Sequence, residues 1–355
     1  MERKRIVLGF SGGVDSLTAA RLLKEEGYEV IPLFLDMGGS GLEELRARAR
    51  AAAATLGLDL REEEVAALFR SEVIDYLKSS YLRAETPSPC LRCNAAVKFT
   101  ALAAVAGRLG VAEIATGHYF RSRPDGDGGV RSYLQAVDGA KDQSYFLSLV
   151  PERILRRARF PLGGMYKSEV VDLAGQAGYD LTGYRESQEL CFLNGEDYRD
   201  FLRREGLGGS GPGPIVDLEG RELGRHRGLE NYTVGQRRGL DIAWSEPLYV
   251  LRLDYPGNRL IVGSRRETGC RKFAVTDLNW LIPIPEGATE LELSCQIRYR
   301  HRPAPARLRF SADREKVLVA FAEPQFAVAP GQGAAFYQGE RLLGGGIISR
   351  APGES

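Results

Sequence analysis

The chain has 355 residues, 43% hydrophobic and 27% charged, enough for two or three domains and too ordinary in composition for a collagen, an extended disordered segment or a coiled-coil rod. Forty-eight basic residues against 47 acidic leave a formal charge of +1, so no bulk polycation is held to nucleic acid by charge alone and any basic site must be local. Apolar runs such as 30–35 fall far short of the roughly 20 residues that cross a bilayer, glycine and serine cut short the signal-like start of 1–10, and five cysteines, an odd number, suit a reducing compartment; no membrane span and a cytoplasmic setting are expected.

In chain order, 4–10 predicts a buried strand, 16–26 a helix with Leu17, Ala20, Leu23 and Lys24 at helical spacing, closed by Gly27, and 28–35 a second buried strand. An alanine-rich helix follows over 42–56, a helical stretch over 65–81, a further helix over 95–109, and a short strand over 111–116 that leads to Gly117-His118. This alternation predicts an α/β fold with a doubly wound parallel sheet. Near residue 200 the pattern changes: 206–214 holds five glycines and two prolines, as a linker or loop would. Runs at 291–299, 306–310, 316–321, 334–337 and 342–348 then predict a small antiparallel barrel or sandwich. The expected organisation is a doubly wound N-terminal domain over 1–200, a small central domain over 201–269 and a C-terminal antiparallel β-barrel over 270–355.

Ser11-Gly12-Gly13-Val14-Asp15-Ser16 lies between the first strand and the first helix, where backbone N–H groups and a helix N-terminus make an anion site and paired glycines let phosphate approach the backbone. No Gly-Lys-Ser/Thr follows, so the lysine that reaches outer phosphates in a P-loop is missing and an ordinary kinase or GTPase is excluded. The stretch resembles the pyrophosphate loop (PP-loop) of ATP pyrophosphatases, with their adenine nucleotide alpha hydrolase-like fold. Those enzymes split ATP between its α and β phosphates and leave an adenylated substrate. The resemblance implies ATP as co-substrate and Asp15 as a ligand of Mg²⁺, a hard cation that prefers oxygen. Alone it leaves open NAD, GMP and argininosuccinate synthetases beside tRNA sulfur transferases.

Cys90-Leu91-Arg92-Cys93 follows the proline-stiffened Thr86-Pro87-Ser88-Pro89 and precedes the helix expected from Ala95. A helix start and the charge of Arg92 both favour a thiolate at Cys93. Cys191, between Leu190 and Phe192, reads equally as a packed thiol or a reactive one. Structural zinc lacks a second close Cys-x-x-Cys, and a thioredoxin-like motif lacks its context. Cys90, Cys93 and Cys191 could instead hold three corners of a 4Fe–4S cluster, an alternative that stays open. Cys270 and Cys295 stand in no motif and read as structural.

Several stretches in one order resemble the tRNA-specific 2-thiouridylase (MnmA) family over nearly the whole chain: Gly9 to Ser16, Cys93-Asn94 with Lys98-Phe99, Ala115 to Tyr119, Lys141 to Leu147, Ser187 to Phe192, Tyr232 to Arg237, Ile297 to Arg300 and Glu323 to Gln325. The resemblance implies an ATP-dependent enzyme that makes 2-thiouridine at the wobble position of a tRNA. Gly9, Phe10, Ser11, Gly12, Gly13, Val14, Asp15 and Ser16, with Leu35 and Gly117, would bind ATP. Cys191 would carry the incoming sulfur as a persulfide, and Cys93 would resolve it through a disulfide with Cys191. Ser88, Pro89 and Cys90 would lie near the target base; Lys141, Asp142, Gln143, Arg298 and Tyr299, with the central domain, would touch tRNA. The implied partners are tRNAs for Glu, Gln and Lys and a sulfur-donor or persulfide-carrier protein. Many members have asparagine and aspartate where this chain has Ser88 and Cys90, so a carboxylate base is missing there and a third thiol takes its place. Two alternatives remain, a cluster-dependent tRNA thiolase fed by sulfide and a non-catalytic tRNA-binding or sulfur-carrier protein.

The chemistry needs such parts. Uracil C2 carries a carbonyl oxygen in a delocalised ring, a poor leaving group until it is adenylated, and a persulfide keeps sulfur activated without letting it diffuse. Residues 296–310 contain Arg298, Arg300, Arg302, Arg307 and Arg309, interleaved with Tyr299 and His301 and free of acid, as an RNA-tracking surface would. Arg153, Arg156, Arg157 and Arg159 form a weaker patch, and His118 reads as structural.

Overall fold

A computed structural model gives the fold and describes residues 4–125, 131–182, 190–193, 195–206 and 209–349. Strands β1 (Arg5–Gly9), β2 (Glu29–Asp36), β3 (Arg61–Glu64) and β4 (Glu113–Ala115) belong to one sheet, which a hairpin of β5 (Arg121–Pro124) and β6 (Arg131–Leu134) leaves before β7 (Ala158–Arg159) returns. The order is β3-β2-β1-β4-β7, with every pairing parallel. Side chains alternate across its pleat: Val7, Ile31 and Leu33 enter one core and Ile6, Leu8 and Val30 the other. Helices therefore cover both faces. Helix α1 (Val14–Glu25) and α2 (Leu42–Thr55) pack on the second core, a helical run α3 (66–82) follows at one end, and α4 (Pro89–Arg108) packs on the first core. Helix α5 (Lys167–Gln176) returns to α1 through Val170 and Ala174. Each fully buried Leu or Ile contributes about 1.5–3 kcal/mol by leaving water.

Two differences from the sequence reading have simple causes. Arg61-Glu62-Glu63-Glu64 shows no hydrophobic pattern, yet it pairs with β2 as a charged edge strand, with Glu62 bound to Arg46 and Arg50 and Glu63 to Arg108. Helix α4 starts at Pro89, six residues before the alanine run, because proline suits the first helical position; it also contains a π-helical turn at Cys93–Lys98. By length and composition alone α4 would pass for a membrane span, but half of it is buried, with Leu91, Val97, Phe99 and Leu102 inside the protein.

After α6 (Tyr198–Arg204), strands β8 (Gly213–Val216), β9 (Glu222–His226), β10 (Tyr249–Asp254) and β11 (Arg259–Gly263) form a small sheet in the order β10-β11-β8-β9. The last segment, β12 (Gly269–Trp280), β13 (Glu290–Gln296), β14 (Ala304–Phe310), β15 (Val317–Phe326), β16 (Gly333–Gln338) and β17 (Arg341–Ser349), runs β12-β15-β14-β13-β16-β17. Pairing of β12 with β17 closes it into a six-stranded antiparallel barrel around Phe273, Val275, Leu308, Val319 and Phe336. The β5–β6 hairpin of the N-terminal half joins this barrel sheet at Leu134–Arg341.

The barrel also grips the turn that bears the first two cysteines. Thr86 N donates to Pro330 O at 2.7 Å, and Gln332 Nε2 donates to the carbonyls of Thr86 and Pro87 at 2.9 and 3.2 Å. Gly333 is required by contact: a Cβ there would stand 2.3 Å from Leu91 Cδ1.

Candidate active site

Ligand crevices in an open α/β sheet lie beyond the carboxyl ends of the strands where the strand order reverses, here around β1. A cavity of about 230 Å³ sits there, lined by Gly9 at the end of β1 with Phe10, Ser11, Asp15 and Ser16 beyond it, Leu35 near the end of β2 with Met37 beyond it, Gly117 and His118 after β4, and Lys98 of α4. The loop opens α1 without a side-chain cap on Gly13; Ser16 Oγ instead donates to Gly13 O at 3.0 Å. Of the eight loop residues expected around a nucleotide, Val14 is buried in the core and Gly12 serves the fold. Gly12 has φ +72°, and a Cβ there would lie 2.5 Å from Ala49 Cα in α2. Gly13 has ordinary extended backbone with open space at its Cβ position. Gly117 is pressed on the loop, where a Cβ would come within 3.0 Å of the Asp15 carbonyl carbon.

Asp15 is the hinge of the site. Its Oδ1 accepts from Tyr119 OH at 2.8 Å and from Lys167 Nζ at 2.6 Å, and the lysine is only 12% exposed. Asp15 also lines a second, larger cleft of about 700 Å³, as does Gln143. Gln143 is fixed by its own backbone and side chain: its N–H donates to Tyr119 O at 3.0 Å and its Oε1 accepts from Tyr119 N at 2.9 Å. The cleft wall includes Ser88, Pro89 and Cys90 from the start of α4, Lys141, Phe146, Tyr299 and Arg300, and Leu190, Phe192 and Leu193 around Cys191. Phe146 and Tyr299 face each other at 4.5 Å between ring centroids.

Cys90 lines this wall, and the neighbours of Cys191 link it to Cys93. Cys93 is buried with Val97, Leu193 and Phe201, against which Leu190 and Phe192 pack, so both flanks of Cys191 rest on the Cys93 cluster. Cys191 itself is exposed and Cys90 half-buried. Burial pushes the Cys93 thiol up to about 11, partly countered by Lys98, while Cys191 and Cys90 raise it further. Cys90 is raised for the same first reason. At Lys98 burial works against the charge, but the pull of Cys93, Cys191 and Cys90 prevails and holds the ammonium. One lysine thus acts electrostatically on all three thiols.

This corrects the electrostatic expectation for Arg92, which is exposed, bound to Glu72 at 2.5 Å and set over the Tyr76 ring, so Lys98 supplies the positive charge. The cluster alternative also fails on fit: among the described residues, no group of three or more Cys, His, Asp or Glu side chains is disposed to hold a metal ion, Cys90, Cys93 and Cys191 included.

Two of the residues expected to touch tRNA point elsewhere. The Asp142 carboxylate accepts from Ala136 N at 2.8 Å and Ser144 Oγ at 2.6 Å, and so shapes its own loop beside Lys141 and Gln143. Arg298 donates to Phe326 O at 2.8 Å, while Tyr299 and Arg300 line the cleft. Arg307 and Arg309 bind Glu292 and Glu290 across the barrel sheet, acids that the segment 296–310 could not reveal. Arg156 and Arg159 are likewise bound to Glu152 and Glu113. His118 meets Thr116 Oγ1 at 2.9 Å and is held neutral, its pKa lowered to about 3 by burial and Lys98. Ser187, Gln188 and Glu189 of the expected Ser187 to Phe192 stretch lie outside the described residues.

Sequence reasoning left Lys98 without a role and missed Lys167. A signal for Lys167 existed: it is the first residue of α5, where the helix dipole disfavours a cation.

Comparison with known proteins adds three family matches: a tRNA methyl transferase HUP domain over residues 4–195, a tRNA methyl transferase PRC-barrel domain over 199–264 and an aminomethyltransferase beta-barrel domain over 270–348. Among curated relatives, a tRNA-specific 2-thiouridylase MnmA of Synechococcus sp. (strain JA-2-3B'a(2-13)) is 44% identical, covering 98% of this chain and 95% of that protein. Proteins of the same name from Geotalea uraniireducens and Desulforudis audaxviator are each 42% identical, covering 99% and 98% of this chain and 96% and 98% of their own lengths.

Proposed function

The chain belongs to the tRNA-specific 2-thiouridylase (MnmA) family of tRNA sulfur-transfer enzymes, and from that premise we propose that its two cavities divide an ATP-dependent thiolation between them. ATP occupies the smaller cavity with its phosphates on the loop from Gly9 to Ser16, beside Leu35 and Gly117. Asp15, an oxygen donor opening on both cavities, fits Mg²⁺, which would share it with phosphate oxygens and neutralise their charge. The larger cleft takes a splayed uridine against Phe146 and Tyr299, with Lys141, Gln143 and Arg300 at its rim. The observation that carries the reading is that Asp15 and Gln143 line both spaces, so a base in one meets the α-phosphorus in the other.

The C2 oxygen attacks that phosphorus and pyrophosphate leaves. The terminal sulfur of a Cys191 persulfide then attacks C2 and expels AMP. The Cys93 thiolate attacks Cys191 Sγ, which frees the thiocarbonyl and leaves a Cys93–Cys191 disulfide. Lys98 stabilises that thiolate as it forms. The exposure of Cys191 suits loading by a persulfide-carrier protein, and the five free thiols suit a reducing cytoplasm. The proposed acceptors are wobble uridines of tRNAs for Glu, Gln and Lys. We assign nucleotide chemistry to 1–200, and tRNA contact to 201–269 together with the barrel of 270–355. The matching families are named for methyl transfer, but the cysteines beside the cleft favour the sulfur chemistry named by the relatives.

The test is mass spectrometry of a tRNA transcript incubated with protein, ATP and a persulfide donor. Sulfur should replace oxygen at one uridine, with tRNA-dependent release of pyrophosphate. Cys191→Ser and Cys93→Ser should each lose thiolation from a persulfide donor and keep pyrophosphate release. Thiolation retained in either variant refutes the thiol roles, and the absence of pyrophosphate release in the parent protein refutes adenylation.

A further inference from the structure

The catalytic proposal uses two thiols, yet a third, Cys90, lines the cleft beside them. Cys90 lines the cleft and is half-buried, whereas Cys93 is buried one helical turn further along α4. Residues three apart on a helix have Cα atoms about 5 Å apart, inside the range that a disulfide spans. Both lie in the first turn of the helix, Pro89–Arg92 being α-helical and Cys93 holding φ −60° and ψ −45°, so the two residues stand one regular turn apart. The flanks of Cys191 pack on the Cys93 cluster and form the cleft wall beside Cys90, and the electrostatic influence of Cys191 reaches both other thiols. The more accessible thiol comes first and the buried one three residues later, so a disulfide at Cys93 can be approached from the cleft through Cys90.

We propose that Cys90 is a relay thiol that resets the enzyme after each sulfur transfer, an inference that rests on the persulfide reading above. The Cys90 thiolate attacks Cys93 Sγ of the Cys93–Cys191 disulfide; the Cys90–Cys93 bond forms, the Cys93–Cys191 bond breaks, and Cys191 leaves as a thiolate that takes up the proton lost by Cys90. No electrons enter or leave in this exchange, because the oxidising equivalent came from the sulfane sulfur of the persulfide. Cys191 is then free to accept the next sulfur. A dithiol reductant supplies the two electrons that return Cys90 and Cys93 to thiols, entering from the cleft that Cys90 lines. Fixed placement one turn apart makes the exchange intramolecular and fast.

The experiment is a single turnover of persulfide-loaded full-length enzyme with ATP and tRNA, without added reductant, quenched by acid and alkylation and mapped by peptide mass spectrometry. The expected product is a Cys90–Cys93 disulfide with alkylated Cys191. Cys90→Ser should stop at Cys93–Cys191, and with limiting dithiol its yield should fall to about one thiolated tRNA per enzyme while the parent protein continues. A parent protein trapped as Cys93–Cys191 with Cys90 alkylated overturns the relay and leaves the persulfide reading standing. Thiolated tRNA with no disulfide in either protein overturns both. Absorbance near 400 nm in anaerobically purified protein, lost in Cys90→Ala, would assign Cys90 to a cluster and also overturn the relay.

Discussion

The two glycines of the nucleotide loop should fail in opposite ways. At Gly12, alanine must hold φ +72°, which costs about 1–2 kcal/mol for a residue with a Cβ. That Cβ would also stand 2.5 Å from Ala49 Cα, 2.7 Å from Ala49 N and 2.9 Å from Arg48 C. All three are backbone atoms, so no rotamer change relieves the contact, and α2 must retreat by about 1 Å at an overpacking cost of about 1–3 kcal/mol. Gly12→Ala is expected to lose about 2–5 kcal/mol, a fall in Tm of about 4–20 °C. Gly13 has φ −86° and ψ 168°, and a Cβ there meets only Ser11 Oγ at 3.6 Å. The entropy gained by replacing glycine, about 0.4–1 kcal/mol, offsets the poorer capping of alanine, so stability should stay within about 1 kcal/mol. Its remaining purpose is close approach of phosphate, and Gly13→Ala should raise KM for ATP at least about tenfold, near 1.4 kcal/mol. Calorimetry and tRNA-dependent pyrophosphate release read the two effects separately. Parent-like melting of Gly12→Ala, or unchanged use of ATP by Gly13→Ala, would refute the division of labour.

Three further outcomes follow from the same geometry. Lys98→Met removes the cation that stabilises the Cys93 thiolate, so the Cys93 pKa should rise above about 11 and its alkylation at pH 9–10 should slow several-fold; an unchanged or faster rate would show that Lys98 does not serve the thiol. Lys167→Met frees Asp15 of its buried cation and should lower adenylation about 100-fold with little change in the apparent affinity for tRNA, measured by pyrophosphate release across a tRNA titration. Arg300→Ala, in the cleft lining, should weaken tRNA binding and reduce its salt dependence by about one phosphate contact, whereas Arg307→Ala and Arg309→Ala, on β14 and outside that lining, should change neither in a filter-binding series.

The buried strands 5–9 and 29–36 were legible because apolar runs report burial on both faces, and the glycine loop because its residue types carry a mechanism. Strand 61–64 was not, since an edge strand needs no apolar face, and strand 269–280 was hidden by interleaved polar residues and register shifts near Cys270 and Thr276. At the site, the thiols were visible as a motif and an isolated cysteine. Their common cation was not, because Arg92 and Lys98 are equally basic in sequence, and only the fold separates the one bound to Glu72 from the one whose charge acts on the three thiols. The arginines of 296–310 misled for a related reason: the acids that bind two of them come from the neighbouring strand.

The hold of residues 330–332 on Thr86 and Pro87 reaches across some 245 positions of the chain. The barrel therefore completes the pocket of a domain made long before it, and a nascent chain that has not yet emerged to residue 333 would have its sheet formed while its reactive sulfurs still lacked their mould. Translation itself would then keep premature thiol chemistry in check, and a polypeptide truncated before the barrel would lack Tyr299 and Arg300 of the cleft, and with them the seat for the base, rather than being a weaker version of the whole.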